Sequence, residues 1–126
     1  MLKIEAQLKV LAAPIPAEYQ QVNNFTKKPF FPIHIWKYAL RRRAPHAQIT
    51  CVTQLSGIYC TTDVTITIPC EDGVLIRSAN GFEVFDTEKQ MRGNPATNSY
   101  AQAFKLACQQ FGLGKASKPE ADEGDE

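Results

Sequence analysis

The chain has no run approaching the roughly 20 consecutive apolar residues that cross a bilayer, and the opening Met1 to Pro14 lacks the apolar core and cleavage site of a signal peptide. Both absences read as a soluble, intracellular protein without a membrane partner. The four cysteines, Cys51, Cys60, Cys70 and Cys108, lie 9, 10 and 38 positions apart, so no C-x-x-C pair can clamp zinc. Two sit in strand-like sequence and one on an apolar helical face, and the set reads as reduced core thiols. Only two histidines occur, His34 and His46, and no lysine has an Asp or Glu two residues before it, as metal-dependent nucleases commonly require. FGLGKAS at Phe111 to Ser117 is not a phosphate loop. Gln109 stands where that loop needs glycine, Ala116 where it needs Ser or Thr, and the segment ends a helix instead of opening one. Covalent and metal chemistry are thus poorly supplied, no cofactor is implied, and the chain reads as a binding protein and not an enzyme.

Acid is missing from another place. Between Tyr19 and Thr62 there are six bases, Lys27, Lys28, Lys37, Arg41, Arg42 and Arg43, and no Asp or Glu. The formal net charge of +1 conceals this because Glu120, Asp122, Glu123, Asp125 and Glu126 crowd the last nine residues beside Lys118 alone. Residues 1–117 then hold 13 bases against 8 acids. Such clustering suits a polyanion. Phe25, Phe30, Phe31, Trp36, Tyr38 and Tyr59 are interleaved with or follow those bases, and aromatic faces stack on unpaired bases while cations neutralise phosphates.

With 126 residues, one domain is expected, covering 1–116, followed by an acidic disordered tail over 117–126. Met1 to Ala12 has neither Gly nor Pro and predicts a short strand or a helical turn, stopped by Pro14 and Pro16. Glu18 to Pro32 reads as a loop. Pro32 followed by IHIWKYALRRR predicts a helix with Ile33, Trp36 and Leu40 on its apolar stripe, ended by Pro45. Trp36 therefore reads as core, and Tyr38 and His34 as exposed. Arg41, Arg42 and Arg43 close the last turn, where they complement the helix dipole as well as offering charge to a ligand. From Gln48 the period changes to two. Strands are expected over QITCVTQL, GIYCTTDVTITIP and GVLIRSA, joined by turns at Ser56-Gly57 and Glu71-Asp72-Gly73. Asn80 to Asn98 reads as a long loop, with a short strand at GFEVF. Thr97-Asn98-Ser99 offers caps for a helix carrying Tyr100, Phe104, Ala107, Cys108 and Phe111 on one face, stopped by Gly112. The expected fold is α+β, a short antiparallel β-meander packed on one long helix.

LAAPIPAEY at Leu11 to Tyr19, FFPIHIWKYAL at Phe30 to Leu40 and AQAFKLACQQFGLG at Ala101 to Gly114 appear in that order around the meander. Together they resemble the single-strand DNA annealing proteins of the Rad fifty-two type, including phage Sak-like recombinases, over roughly residues 10–116. That resemblance implies a β-β-β-α core, assembly into a homo-oligomeric ring or filament, and single-stranded DNA held in a basic groove. It also implies ATP-independent annealing of complementary strands in recombination and double-strand break repair, in a bacterial or phage-infected cytoplasm.

Carried over by residue, the resemblance points first to Lys105, which matches a backbone-facing lysine in the family's terminal helix. Leu106 and Gln109 stand where animal members have arginines, so further charge must come from Lys28, Lys37, Arg41, Arg42, Arg43, Arg77 and Arg92. The acidic tail reads either as a solubilising end or, as in many single-stranded DNA binding proteins, as a segment that docks a replication or recombination protein or competes with DNA for the basic groove. Two alternatives stay open: a protein that coats single strands without annealing them, and a protein-interaction module using a sheet edge.

Overall fold

Alternation in one segment, Tyr59–Cys70, decides how the sheet is oriented. Cys60, Thr62, Val64, Ile66, Ile68 and Cys70 point to one side and are buried, while Asp63 between them and Tyr59 before them are exposed. A computed structural model of the chain describes residues 1–84 and 95–116. In it this segment is the middle strand, β4, of a three-stranded antiparallel sheet whose other members are β3 (Gln48–Ser56) and β5 (Gly73–Val84). Ser56 pairs with Tyr59 and Cys70 with Gly73, so each connection is a two-residue turn. The register sets Ile49 opposite Ile66 and Arg77 on its other flank.

Helix α3 (Pro95–Gln109) covers the buried side of β4 and β5. Its residues Ala103, Phe104, Ala107 and Cys108 are buried, and Phe111 and Leu113 continue the same face past its end. A Cβ added at Gly81 on β5 would lie 1.9 Å from the Ser99 carbonyl oxygen, so glycine there is what lets the helix seat against the strand. Beside it the Thr62 and Ser99 hydroxyls meet at 2.7 Å, Thr53 extends the chain at 3.0 Å, and Ser99 donates to the Ala96 carbonyl at 3.1 Å. The buried Thr62 and Ser99 hydroxyls are satisfied through this chain, which joins the exposed Thr53 of β3 to β4 and the first turn of α3.

Helix α2 (Ile33–Arg43) packs on α3, and α1 (Ile4–Ala12) packs on α2. Leu11, Ile15, Phe31, Trp36, Leu40, Phe104, Phe111 and Leu113 join Val64, Ile66 and Ile68 in one core. Met1 to Ala12 thus forms a nine-residue helix where a short strand or single turn was expected. Ile4, Leu8 and Leu11 give it a stripe at spacings of four and three that binds the core, and tertiary packing is what sustains short helices. The expected loop from Glu18 to Pro32 contains a 3-10 turn (Ala17–Tyr19) and a small antiparallel hairpin of β1 (Gln21–Val22) and β2 (Pro29–Phe30). Asn23 closes that hairpin by accepting the amides of Phe25 and Thr26 at 2.8 and 3.0 Å.

The class is mixed α+β, as expected, with three helices and two antiparallel sheets among the described residues in place of one long helix on one meander. Of the segment Asn80 to Asn98, expected as a long loop with a short strand at GFEVF, Asn80 to Val84 continue β5, each paired with β4, and α3 already starts at Pro95. Residues 85–94, with Arg92, and the tail 117–126 lie outside the described residues. Cys60, Cys70 and Cys108 are buried as expected, and burial pushes the Cys108 thiol up to about 12. Cys51 is exposed instead, because β3 runs beyond the cover of α3 and all nine of its residues reach solvent. No helix among the described residues is long and apolar enough to cross a membrane.

Gly81→Ala is expected to cost about 3 kcal/mol or more of folding stability, the upper end of overpacking, because the obstructing atom belongs to backbone. Asn80→Ala on the exposed side of the same strand should change it by less than about 0.5 kcal/mol. Urea denaturation midpoints of the two variants test the difference.

Candidate nucleic-acid interface

Helix α2 buries Trp36, Ala39 and Leu40, and a 3.6-residue period then turns His34, Lys37, Tyr38 and Arg41 outward together at i, i+3, i+4 and i+7. These four, with Tyr19 and Ile35, line an open groove of about 560 Å³. Two further hollows adjoin it. One of about 240 Å³ shares Tyr19, Ile35 and Tyr38 and adds Ile15, Pro16 and Arg42, among others. The second, of about 420 Å³, shares Lys37 and Arg41 and reaches Ile49 on β3 and Tyr100 on α3. The shared residues make one trough over α2, and among the described residues no carboxylate lines any part of it.

Cations and rings alternate along this trough. The Lys37 Nζ lies 5.1 Å from the centre of the Tyr100 ring, and the Arg42 Cζ lies 5.8 Å from that of Tyr38. Ring faces hold such cations in place without neutralising them, so their charge stays available to an anion. Among the described residues the only ion pair is the exposed Lys9–Glu5 contact on α1, at 3.8 Å. The surface is therefore built to meet negative charge with flat apolar faces beside it.

The residues expected to bind DNA separate into distinct settings. Lys37, Arg41 and Arg42 are exposed in the trough. Lys105 is half-buried on α3, its Nζ 6.0 Å from the centre of the Phe30 ring, and burial draws its pKa below the usual lysine range. Lys28 is exposed at the start of the segment leading into β2, two residues before Phe30. Arg77 lies across the molecule on β5, where its Nη1 donates to the Ile76 carbonyl at 2.8 Å and its guanidinium carbon stands 5.6 Å from the centre of the Phe111 ring. It lines no part of the trough. Arg43 reaches back to α1, donating to the carbonyls of Leu11 and Pro14, each at 3.2 Å, and of Ala13. Its own carbonyl accepts from the Gln7 side chain at 2.9 Å, and burial lowers the pKa of its guanidinium. The three adjacent arginines thus divide, two toward solvent and one clamping the C-terminus of the neighbouring helix.

Tyr19 was not singled out in the sequence. Its signal was local: Pro16 precedes a 3-10 turn, in which the Tyr19 amide donates to the Pro16 carbonyl at 3.1 Å and the ring is left half exposed beside α2. Among the described residues no group of three or more His, Cys, Asp or Glu side chains is placed to hold a metal ion. No family model matches the chain, and no curated protein matches it.

Arg43→Ala should cost about 2 kcal/mol of stability, since several charge-assisted hydrogen bonds to otherwise unpartnered helix-end carbonyls are lost. Arg41→Ala and Arg42→Ala should each stay within about 0.5 kcal/mol. Thermal unfolding of the three variants checks the division, and equal losses would contradict it.

Proposed function

We propose that the protein binds single-stranded DNA along the α2 trough and promotes ATP-independent annealing of complementary strands, acting as a homo-oligomer in homologous recombination and double-strand break repair. The observation that carries the binding step is the trough itself, where Lys37, Arg41 and Arg42 alternate with Tyr19, Tyr38 and Tyr100 and no acid among the described residues intervenes. Cations at that spacing neutralise phosphates, and the rings offer faces to unpaired bases, which a duplex keeps stacked inside. The annealing step rests on the resemblance of Ala101 to Gly114 and its companion segments to proteins of the Rad fifty-two type. Lys105 is the backbone-facing residue in that reading, with Lys28 on the adjoining hairpin as additional charge. No covalent step and no cofactor enter.

Assembly into a ring or filament is supported by β3. Its outer edge carries no neighbouring strand among the described residues, and Ile49, Cys51 and Leu55 on its helix-facing side lie open, Leu55 at 73 % exposure. Such an edge calls for a partner strand. The same feature favours a second reading, a protein-interaction module that recruits a peptide by strand addition.

Fluorescence anisotropy with a labelled single-stranded oligonucleotide over a salt series tests the binding step. Lys37→Ala and Arg41→Ala should each weaken affinity about five- to tenfold and flatten the salt dependence, and Tyr38→Ala should weaken it by about 1–3 kcal/mol. Mixing complementary labelled strands without ATP tests annealing, which Lys105→Ala should lessen. Binding without accelerated annealing would leave a coating protein, and no binding at low salt would leave the interaction module.

The depressed pKa of Lys105 has a sign that can be read directly. As pH rises this ammonium loses its proton before an ordinary lysine does, so alkaline loss of annealing should begin earlier in the wild type than in Lys105→Arg. Superimposable pH profiles would remove Lys105 from the reading.

A further inference from the structure

The described chain ends where the trough begins. The Ile15 amide donates to the Lys115 carbonyl at 2.7 Å, and Ile15 and Ala116 form an isolated parallel bridge. Ile15 and Pro16 line the trough, and Tyr19 follows them. Because the bridge is parallel, the chain at Ala116 runs in the same direction as Ile15 toward Pro16 and Tyr19. Residues 117–126 follow, with Glu120, Asp122, Glu123, Asp125 and Glu126 and a single base, Lys118. Ten residues span up to roughly 33 Å when extended, against about 16 Å for the whole of α2. Length, direction and charge agree.

We infer that the acidic segment 117–126 docks in cis along the α2 trough, its carboxylates against Arg41, Arg42 and Lys37, as an internal polyanion that a nucleic acid must displace. The inference rests on the reading of the trough as a polyanion site and adds its occupant in the free protein. Two features make the contact self-limiting. The cations are exposed and the pairing is therefore screened by salt, and the segment is tethered beside the trough, so its effective concentration is roughly millimolar whatever the protein concentration. A strand making several phosphate contacts at once outcompetes it, whereas a weak or short ligand does not.

The test uses the full chain, as wild type and as the variant Glu120→Gln, Asp122→Asn, Glu123→Gln, Asp125→Asn, Glu126→Gln, both labelled with nitrogen-15. At low salt the amide shifts of Tyr19, Lys37, Tyr38 and Arg41 should differ between the two, independently of protein concentration, and should converge near about 0.5 M salt. Affinity for a single-stranded oligonucleotide at low salt should rise on the order of tenfold in the variant, as expected for release of a tethered competitor of about 0.1 mM intrinsic affinity. A reciprocal variant with the native tail, Arg41→Gln with Arg42→Gln, should move the amides of residues 119–126, which guards against a general effect of the tail substitutions on folding. Unchanged trough shifts would overturn the docking, and concentration-dependent differences would overturn the cis arrangement in favour of a second copy's tail. Localised shifts with no oligonucleotide bound by either form would uphold the docking and instead remove the nucleic-acid reading.

Discussion

The outward face of α2 is fixed by where Trp36 goes. Its Nε1 donates to the Phe31 carbonyl at 3.0 Å, which satisfies the one polar atom of a large buried ring. The ring itself lies on Gly114, where an added Cβ would stand 2.3 Å from it and where φ is +107°. Glycine at that position serves two needs at once, the left-handed backbone and the absence of a side chain. The turn after α3 is therefore shaped around a residue of α2, and the two helices cannot rotate independently. Once Trp36 is inward, Lys37, Tyr38 and Arg41 have nowhere to point but solvent. The candidate site is a consequence of the core on this account, and a change at Gly114 would disturb the trough without touching any residue that lines it.

Electrostatics completes what packing begins. A surface of exposed cations with no acid among them is self-repelling, and isolated ion pairs such as Lys9–Glu5 contribute little to offset it. Aromatic faces under Lys37 and Arg42 ease the repulsion while leaving the charge in place. Arg43 shows the other solution. Its charge goes to three backbone carbonyls at the end of α1, so the third arginine of the run holds up the scaffold while its two neighbours stay free for a ligand. Sequence adjacency carried no information about this division, because a helix sends successive residues 100° apart.

What could be read from the sequence follows how local the determining interaction is. The meander was legible because alternation in Val64, Ile66 and Ile68 against Thr65 and Thr67 is a property of neighbours. Helix α2 was legible from Ile33, Trp36 and Leu40 and from the prolines at its ends. Helix α1 was not, since nothing inside Met1 to Ala12 makes it helical without Leu11 packing into a core assembled from distant residues. A strand at GFEVF was legible, but its continuity with GVLIRSA as one strand β5 was not, since Gly81 carries no side chain to extend the alternation and its role shows only when Ser99 is seen against it. Lys37, Arg41 and Arg42 are exposed, and their charge was legible in the sequence, but their convergence with Tyr19 needed the 3-10 turn that brings a residue from before the hairpin beside the helix.

The trough and the open strand β3 share a residue. Residue Ile49 of β3 lies at the far end of the trough, while its strand-mates Cys51 and Leu55 lie open along the helix-facing side of the same strand. Tyr59 of β4 and Phe82 of β5 stack at 5.5 Å on the opposite side of the sheet, each 48 % exposed, and all nine residues of β3 are exposed, so among the described residues β3 is bare on both faces and along one edge. A strand left so open is costly for a monomer, which usually shortens, charges or covers its edges, and none of Gln48 to Ser56 is charged. A partner strand on β3 would cover that liability and, because Ile49 belongs to both regions, would also close one end of the trough or extend it onto the next subunit. In the proposed reading, oligomerisation and strand binding then share a residue, and a continuous cationic path arises from repetition of a short one.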